Sequence, residues 1–338
     1  ADVYVTDEAT GEPVLAETQP ISATGDSLGN MIIGNLADNS LSGGEGADIL
    51  DGGAGNDTLF IDSADTLIDG NDGVDSIVSD STVALTETRF ANVENIILSG
   101  EENISATGDD NDNQLVGNIG DNSLDGAAGA DTLAGGLGDD VYVIDNEGDI
   151  VEELAEEGTD LVESSVTHTL ADQVENLNLV GEEAIDGTGN TLANVILGNS
   201  AANRLDGGLN DDTLVGDTLI GGEGDDTLVM NSLEDQIEGG DGIDTVESSV
   251  DYTLGDDVEN LTLTGEALSG TGNTDDNQIV GNAGDNTLDG GEGSDQLTGG
   301  AGDDVYVADA YDLAIFENED EGTDLVVADF DSILADNV

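Results

Sequence analysis

Apolar residues occur in this chain as short clusters that recur every nine residues, separated by glycine-rich segments. The clearest copies read GGEGADILD from Gly43, GGAGNDTLF from Gly52, GGEGDDTLV from Gly221, GGEGSDQLT from Gly290 and GGAGDDVYV from Gly299. Six residues of each nonamer predict a turn, and three predict a short strand with its inward residue at position eight. Because a three-residue strand cannot bury enough surface alone, the pattern predicts stacked copies, as in a solenoid.

A longer period overlies the nonamers. Glycine blocks begin at Gly25, Gly108, Gly189 and Gly272, and a Val-Glu-Asn motif recurs at Val93, Val174 and Val258. The segments between blocks alternate apolar and polar residues, which is typical of half-buried strands. We therefore predict an all-β chain of four repeats, 1–92, 93–173, 174–257 and 258–338, in one continuous solenoid.

Both ends of the chain resemble internal segments. DVYV at Asp2 matches the copies at Asp140 and Asp304, and the tail LADNV at 334–338 matches LADQV at Leu170. We expect from this that the chain begins and ends within a unit and is part of a longer array. A frayed last repeat is the alternative.

The charge balance excludes several partners. The chain has 79 Asp and Glu against two basic residues, for a net charge of −77. Nucleic acid and anionic lipid surfaces both require clustered Lys or Arg, so neither is expected as a partner. No apolar run approaches the ~20 residues of a membrane span. Composition alone fits either disorder or a folded chain whose carboxylates are neutralised by cations.

Position six of the nonamer carries the candidate metal ligands. The acids at this position are Asp48, Asp57, Asp131, Asp140, Asp212, Asp226, Asp295 and Asp304, and later turns in the same phase add Asp75, Asp149, Asp235 and Asp244. The two earlier turns of each block carry Asn30, Asn39, Asn113, Asn122, Asn194, Asn203, Asn277 and Asn286 instead. Calcium takes six to eight oxygen ligands in flexible loops, which carboxylates and carbonyls can supply.

Glycine at positions two and four allows the backbone angles that such a loop needs. The glycines assigned to the metal-binding turns are Gly44, Gly46, Gly53, Gly55, Gly222, Gly224, Gly291, Gly293, Gly300 and Gly302. Oxygen ligands without Cys or a His cluster favour calcium over zinc or copper, and magnesium is less apt because it requires strict octahedral geometry. We therefore predict multiple calcium ions.

These nonamers resemble the G-G-x-G-x-D-x-(apolar)-x repeat of RTX (repeats-in-toxin) proteins, a calcium-binding pattern. The resemblance implies a parallel β-roll with two nonamers per coil and calcium between turns eighteen residues apart. It implies the stacked pairs Asp57 with Asp75, Asp131 with Asp149, Asp226 with Asp244, Asn30 with Asp48 and Asn39 with Asp57. The Asn turns depart from the pattern, so we expect them to bind calcium more weakly or to be bridged by water or amides. The Val-Glu-Asn segments are expected to continue the stack as metal-free strands.

Signals for an enzyme are weak. Ser27 lies in a GDSLG sequence like a nucleophile elbow, but no helix pattern follows it. His168 aligns with Tyr252 of another unit, which indicates a strand position. We predict no catalytic residues, and the scarcity of aromatic residues also argues against a sugar-binding module.

The sequence thus predicts a calcium-binding structural region of a secreted cell-surface protein, as a stalk, adhesin, filament or surface-layer component. The resemblance suggests type I secretion, followed by folding in calcium outside the cell, with further repeats of the same or neighbouring chains as partners. The alternative is a C-terminal secretion and folding module of an exported enzyme or toxin.

Overall fold

The computed structural model describes residues 19–309, 314–316 and 322–328. Every regular element within these residues is a β-strand, and the strand pairs are parallel. The predicted all-β parallel solenoid is confirmed. The terminal segments at Asp2 and at 334–338, on which we based the expectation of a longer array, lie outside the described residues.

The chain divides into two compact units. Unit 1 comprises Ala1–Val166 and Ala171–Val174, and unit 2 comprises Thr167–Leu170 and Glu175–Val338. The division into four repeats of one continuous solenoid stays a prediction.

Seventeen short strands form unit 1. They are β1 (Ser22–Thr24), β2 (Met31–Ile33), β3 (Ser40–Ser42), β4 (Ile49–Ala54), β5 (Thr58–Ile61), β6 (Leu67–Asp72), β7 (Ser76–Ser79), β8 (Val83–Ala84), β9 (Phe90–Ala91), β10 (Asn95–Leu98), β11 (Ser105–Thr107), β12 (Gln114–Val116), β13 (Ser123–Asp125), β14 (Thr132–Ala134), β15 (Val141–Ile144), β16 (Ile150–Val151) and β17 (Leu161–Ser164). Three rows of paired strands result, in the orders β1-β3-β5-β7-β10-β12-β14-β16, β2-β4-β6-β9 and β8-β11-β13-β15-β17.

Unit 2 repeats this arrangement. Its strands are β18 (His168–Thr169), β19 (Asn176–Leu179), β20 (Gly187–Thr188), β21 (Val195–Leu197), β22 (Arg204–Leu209), β23 (Thr213–Val215), β24 (Thr218–Glu223), β25 (Thr227–Met230), β26 (Gln236–Asp241), β27 (Thr245–Ser248), β28 (Tyr252–Thr253), β29 (Asn260–Leu263), β30 (Ser269–Thr271), β31 (Gln278–Val280), β32 (Thr287–Asp289), β33 (Gln296–Thr298), β34 (Val305–Ala308), β35 (Ala314–Phe316) and β36 (Leu325–Ala328). The odd-numbered strands β19 to β35 pair in sequence, as do the even-numbered strands β18 to β26 and β28 to β36.

Strand register confirms that two nonamers make one coil. Ser22 pairs with Ser40 and Leu41 with Leu59, a step of eighteen residues. The Val-Glu-Asn segments keep the stack, because β10 pairs with both β7 and β12, and β29 pairs with both β27 and β31. The prediction that these segments continue the solenoid is confirmed.

The core is a set of stacked rows, each built from the inward residue of successive strands. One row of unit 1 comprises Leu41, Leu59, Ile77, Ile96, Leu115 and Leu133, all fully buried. Each such side chain contributes roughly 1.5–3 kcal/mol on burial. Tyr142 and Tyr306 take the same inward position on β15 and β34, and they are fully buried. The rows fix the register, and the register brings the position-six residues of successive coils together.

Candidate calcium sites

The position-six residues form a ladder along the edge of each unit. The backbone N–H of one coil donates to a carboxylate oxygen of the next coil, as from Asn30 to Asp48 Oδ1 at 2.6 Å. The same bond joins Asn39 to Asp57 and Asp57 to Asp75, each at 2.6 Å. It also joins Asp131 to Asp149 at 3.0 Å and Asp226 to Asp244 at 2.9 Å. All five predicted stacked pairs are therefore confirmed.

The second carboxylate oxygen is buried at most of these positions. Among the described residues, no hydrogen-bond donor reaches Oδ2 of Asp48, Asp57, Asp75, Asp131, Asp140, Asp212, Asp226, Asp244 and Asp304. A buried carboxylate without a compensating partner costs several kcal/mol, so each of these oxygens calls for a proton or a cation. The repetition of one unsatisfied oxygen in turn after turn points to a repeated ligand.

Glycine at position one keeps a space open beside that oxygen. A Cβ at Gly52 would overlap Asp57 Oδ2 and would lie 2.9 Å from the carbonyl oxygen of Gly70 in the next coil. At Gly207 a Cβ would overlap Asp212 Oδ2 and would lie 2.7 Å from the Gly221 carbonyl oxygen. A carboxylate oxygen of one coil and a carbonyl oxygen of the next therefore flank a space without a side chain. Calcium takes this donor set, so the residues present fit the ion.

The glycines at positions two and four adopt positive φ angles. Gly44 and Gly46 have φ of 87° and 130°, and Gly222 and Gly224 have 114° and 143°. Left-handed backbone costs an L-residue roughly 1–2 kcal/mol, which explains the glycine requirement. All ten glycines assigned to the turns from the sequence share a positive φ, but their role as metal ligands stays a prediction.

Neither arginine neutralises these carboxylates. Arg89 pairs with Glu87 at 3.0 Å and lies over the Phe90 ring, and Arg204 pairs with Asp206 at 3.0 Å. With no cation beside them, several position-six carboxyl groups have a raised pKa, because burial disfavours the charged form and nearby carboxylates add a smaller repulsion. The pKa rises to about 6 at Asp75, Asp131 and Asp244, and to about 7 at Asp140 and Asp212. Without a cation, Asp140 and Asp212 are therefore about half protonated near neutral pH, and the other three take up protons as the pH falls to about 6.

Six of the Asn turns are closed by hydrogen bonds instead, whereas the Asn203 Oδ1 is buried without a donor among the described residues. Asn122 Oδ1 accepts the Asn118 N–H at 2.7 Å, and its Nδ2 donates to the Ile104 carbonyl of the preceding coil at 2.9 Å. Asn118 Oδ1 in turn accepts the Gly120 N–H at 2.8 Å. The bond from the position-two N–H to the position-six amide oxygen recurs at Asn30, Asn113, Asn194, Asn277 and Asn286. Amide bridging, one of the alternatives that the sequence left open, is thus found in these turns.

Two predicted ligands, Asp149 and Asp235, have other surroundings, whereas Asp295 lies in a turn like those described above. Asp149 Oδ2 accepts the N–H groups of Asp145 and Asn146, and Asp235 Oδ2 accepts those of Asn231 and Ser232, at 3.0–3.3 Å. These two carboxylates close a local turn. Asp295 is fully buried in a glycine-rich turn, and its Oδ1 accepts the Asn277 N–H at 2.8 Å.

Sequence reasoning missed several carboxylates of the ladder. Glu94 accepts the Asp75 N–H, and Glu259 accepts the Asp244 N–H, both at 2.8 Å. Both belong to Val-Glu-Asn motifs, which therefore place a carboxylate in segments that we expected to be metal-free. The signal is an acid two residues before an inward apolar residue: Glu94 precedes Ile96 as Asp75 precedes Ile77.

Further missed carboxylates are Asp65, Asp160, Asp217 and Asp324, which accept the position-six N–H of Asp48, Asp140, Asn203 and Asp304. By contrast, Ser27 is exposed in the turn between β1 and β2. His168 on β18 corresponds to Tyr252 on β28, as the alignment of the two sequence repeats predicted.

A parallel β-solenoid edged by buried acids in glycine-rich turns defines a class of metal-binding repeat protein. The RTX calcium-binding nonapeptide repeat family matches residues 24–59, 107–142, 188–218, 216–229 and 271–306. These spans coincide with the four glycine blocks. The chain therefore carries RTX calcium-binding nonapeptide repeats, as the sequence predicted.

A curated relative matches a shorter stretch. The chain is similar to an endo-1,3-1,4-beta-glycanase, ExsH, of Rhizobium meliloti (strain 1021), with 41% identity over 70 residues. That stretch is 20% of this chain and spans 15% of the length of the relative. Within the described residues, no helix has the length and apolar character to cross a membrane.

Proposed function

We propose that this chain is the structural repeat region of a secreted cell-surface RTX protein and folds when it binds calcium outside the cell. The row of buried, unsatisfied Oδ2 atoms at position six carries the proposal. Its regular recurrence along each unit suits a stalk, adhesin, filament or surface-layer component whose partners are further repeats of the same or neighbouring chains.

Calcium supplies positive charge to a turn that has none. The position-six carboxylates would hold the ion, and the glycine-rich backbone would supply carbonyl oxygens. Without cations, 79 acidic side chains repel one another and the short strands cannot offset the entropy of ordering. Binding and folding then become one event, as in other metal-dependent folds. Export of the unfolded chain by type I secretion is consistent with this coupling.

Circular dichroism of the full chain in chelator, and then with added calcium, tests the coupling. We expect the β-sheet signal to be weak in chelator and to rise cooperatively with calcium. Magnesium at the same concentration serves as the control and should restore less signal, because it requires stricter geometry. A full β-sheet signal in chelator would contradict the proposal.

The similarity to a glycanase favours a second candidate function. The chain would then be the repeat module of an exported enzyme whose catalytic domain lies elsewhere in the protein. The sequence of the complete gene, together with a β-glycan hydrolysis assay on the intact secreted protein, separates the two. A catalytic domain joined to these repeats would favour the enzyme, whereas a continued repeat array would favour the surface structure.

A further inference from the structure

One coil of unit 1 is two residues longer than the nonamer coils. Asp140 donates its N–H to Asp160, twenty residues later, whereas the ladder step from Asp131 to Asp149 is eighteen. The strands keep their register, since Leu133 pairs with Val151 and Tyr142 with Val162. The extra length therefore lies in the turn between β16 and β17.

This longer turn places a glutamate where the nonamers have glycine. Gly135 follows Leu133 by two residues, and Glu153 follows its partner Val151 by two. At Gly135 a Cβ would overlap Asp140 Oδ2 and the Tyr142 hydroxyl, so no side chain fits there. The longer turn continues past Glu153 through Glu156, at a φ of 68°, and is closed by the Leu154 N–H on Glu157 Oε2 at 2.9 Å.

Three carboxylates meet at this point. Asp140, Glu153 and Asp160 each place an oxygen within 4.8 Å of the others. Asp140 and Asp160 are each 1% exposed. In the described part of the chain, Oδ2 of Asp140 is buried without a hydrogen-bond donor, and both carboxylate oxygens of Glu153 are buried beside it. Buried carboxylates this close repel each other strongly when ionised, so the cluster requires protons or a bound cation.

We propose that Asp140, Glu153 and Asp160 together hold one calcium ion, and that this three-carboxylate site is the tightest in unit 1. The inference rests on the calcium binding proposed above and adds a ligand, Glu153, that lies outside the nonapeptide pattern. The affinity of calcium sites rises with the number of charged ligands, and the paired-aspartate turns offer one carboxylate fewer. The site therefore fills first and orders β15, β16 and β17 at lower calcium than the paired-aspartate turns need.

The sequence repeats the spacing of these three acids in unit 2. Asp304, Glu317 and Asp324 are separated by the same intervals, and Tyr306 corresponds to Tyr142. Asp304 donates its N–H to Asp324 at 2.9 Å, as Asp140 does to Asp160, while Glu317 lies outside the described residues.

Calorimetric calcium titration of the full chain tests the site. The variants are Glu153→Gln, which removes the third charge, and Glu152→Gln, which makes the same charge change at an exposed neighbour. We expect Glu153→Gln to weaken one of the tightest binding events by about tenfold or more, because a charged ligand is lost, and Glu152→Gln to leave all of them unchanged. If Glu153→Gln binds like the wild type, the inference is wrong while the proposed function stands. If the wild type binds no calcium, both fail.

A second measurement serves if Glu153→Gln does not fold. Terbium replaces calcium at oxygen sites, and its emission is sensitised by a nearby tyrosine. Tyr142 lies beside Asp140 Oδ2 at Gly135, so the first terbium ions bound should emit through it. We expect Tyr142→Phe to bind these ions with much weaker emission. Unchanged early emission in this variant would contradict the placement of the tightest site.

Discussion

The Asp turns and the Asn turns of this chain share the same nine-residue repeat but differ in whether the side chain at position six is satisfied by hydrogen bonds. In an Asn turn, the amide oxygen of Asn122 accepts the position-two N–H of Asn118, and the turn is closed without any ion. In an Asp turn such as that of Asp57, the corresponding carboxylate oxygen is buried with no donor among the described residues. One turn type satisfies its amide when the chain folds, and the other leaves a buried carboxylate oxygen that calls for a proton or a cation.

Position two decides between them. In six of the Asn turns it is Asp or Asn, and its N–H donates to the amide oxygen at position six. In the turns of Asp57 and Asp226 it is a glycine at positive φ, Gly53 at 97° and Gly222 at 114°. Even the non-glycine residues Asn71 and Ala127, at position two of the turns of Asp75 and Asp131, have φ of 70° and 61°. The two turn types therefore differ at a pair of positions, two and six, and not at the acid alone.

The largest effect is expected when an Asp turn is converted into an Asn turn by Gly53→Asn with Asp57→Asn. The new amide can accept the position-two N–H, so the turn closes without metal. We expect one fewer bound calcium by native mass spectrometry. Stability in calcium should fall by about 2.7 kcal/mol if the site is held at a hundred times its dissociation constant. An unchanged number of bound calcium ions would contradict the role of positions two and six in calcium binding.

The reverse conversion, Asn118→Gly with Asn122→Asp, should create a site. The turn already has Gly120 at position four, so it then matches an Asp turn. We expect one additional calcium, and in chelator a loss of about 1–3 kcal/mol because the bonds from Asn118 and to Ile104 are removed. Mass spectrometry and urea unfolding in chelator measure the two effects. A variant that loses stability but gains no ion would show that the pair is insufficient.

Acidification should have opposite effects with and without calcium. The folded-state pKa values of about 6 at Asp131 and about 7 at Asp212 lie above the ordinary value of 3.8. The metal-free fold therefore binds more protons than the unfolded chain, and it gains stability as pH falls from about 8 to about 5. With calcium present, the same protons compete for the ligands. The β-sheet signal in chelator should rise on acidification, while the calcium concentration at half-folding also rises. The prediction would be contradicted if acidification stabilised the fold both with and without calcium, or destabilised it in both conditions.

Ala127→Gly should stabilise the fold. The alanine sits at a φ of 61°, which costs an L-residue roughly 1–2 kcal/mol relative to glycine. Part of that gain is lost to the greater freedom of glycine in the unfolded chain, so we expect about 1 kcal/mol in thermal unfolding with calcium. Ala37→Gly, at an Asn turn where φ is negative, is the matched control and should not stabilise.

The smallest effect is expected at an exposed acid. Asp121 lies at position five, and its carboxylate accepts the Asp139 N–H at 3.0 Å on the surface. Asp121→Asn should change stability by about 0.5 kcal/mol or less and leave the calcium count unchanged. If it removes an ion, then total acidity matters more than the buried oxygen.

Much of this architecture could be predicted from the sequence. The nine-residue period indicates the strand at position eight, and the resemblance to RTX repeats implies the eighteen-residue coil that stacks Asp57 on Asp75 and Asp226 on Asp244. Glu94 and Glu259 could not be found by the glycine pattern, because their segments have no glycine turn. Glu153 could not be found from the nonamer pattern, because the turn that contains it is two residues longer than the nonamer turns. The Asn turns were expected to differ in charge, whereas the structure shows that their backbone differs as well.

The ladder of position-six bonds also has a direction. Each N–H depends on a carboxylate that comes later in the chain, as Asp57 depends on Asp75 and Asp140 on Asp160. For a chain that emerges amino end first, the newest turn is always one coil short of its acceptor. The edge of such a chain would therefore close about one coil behind the point that has emerged.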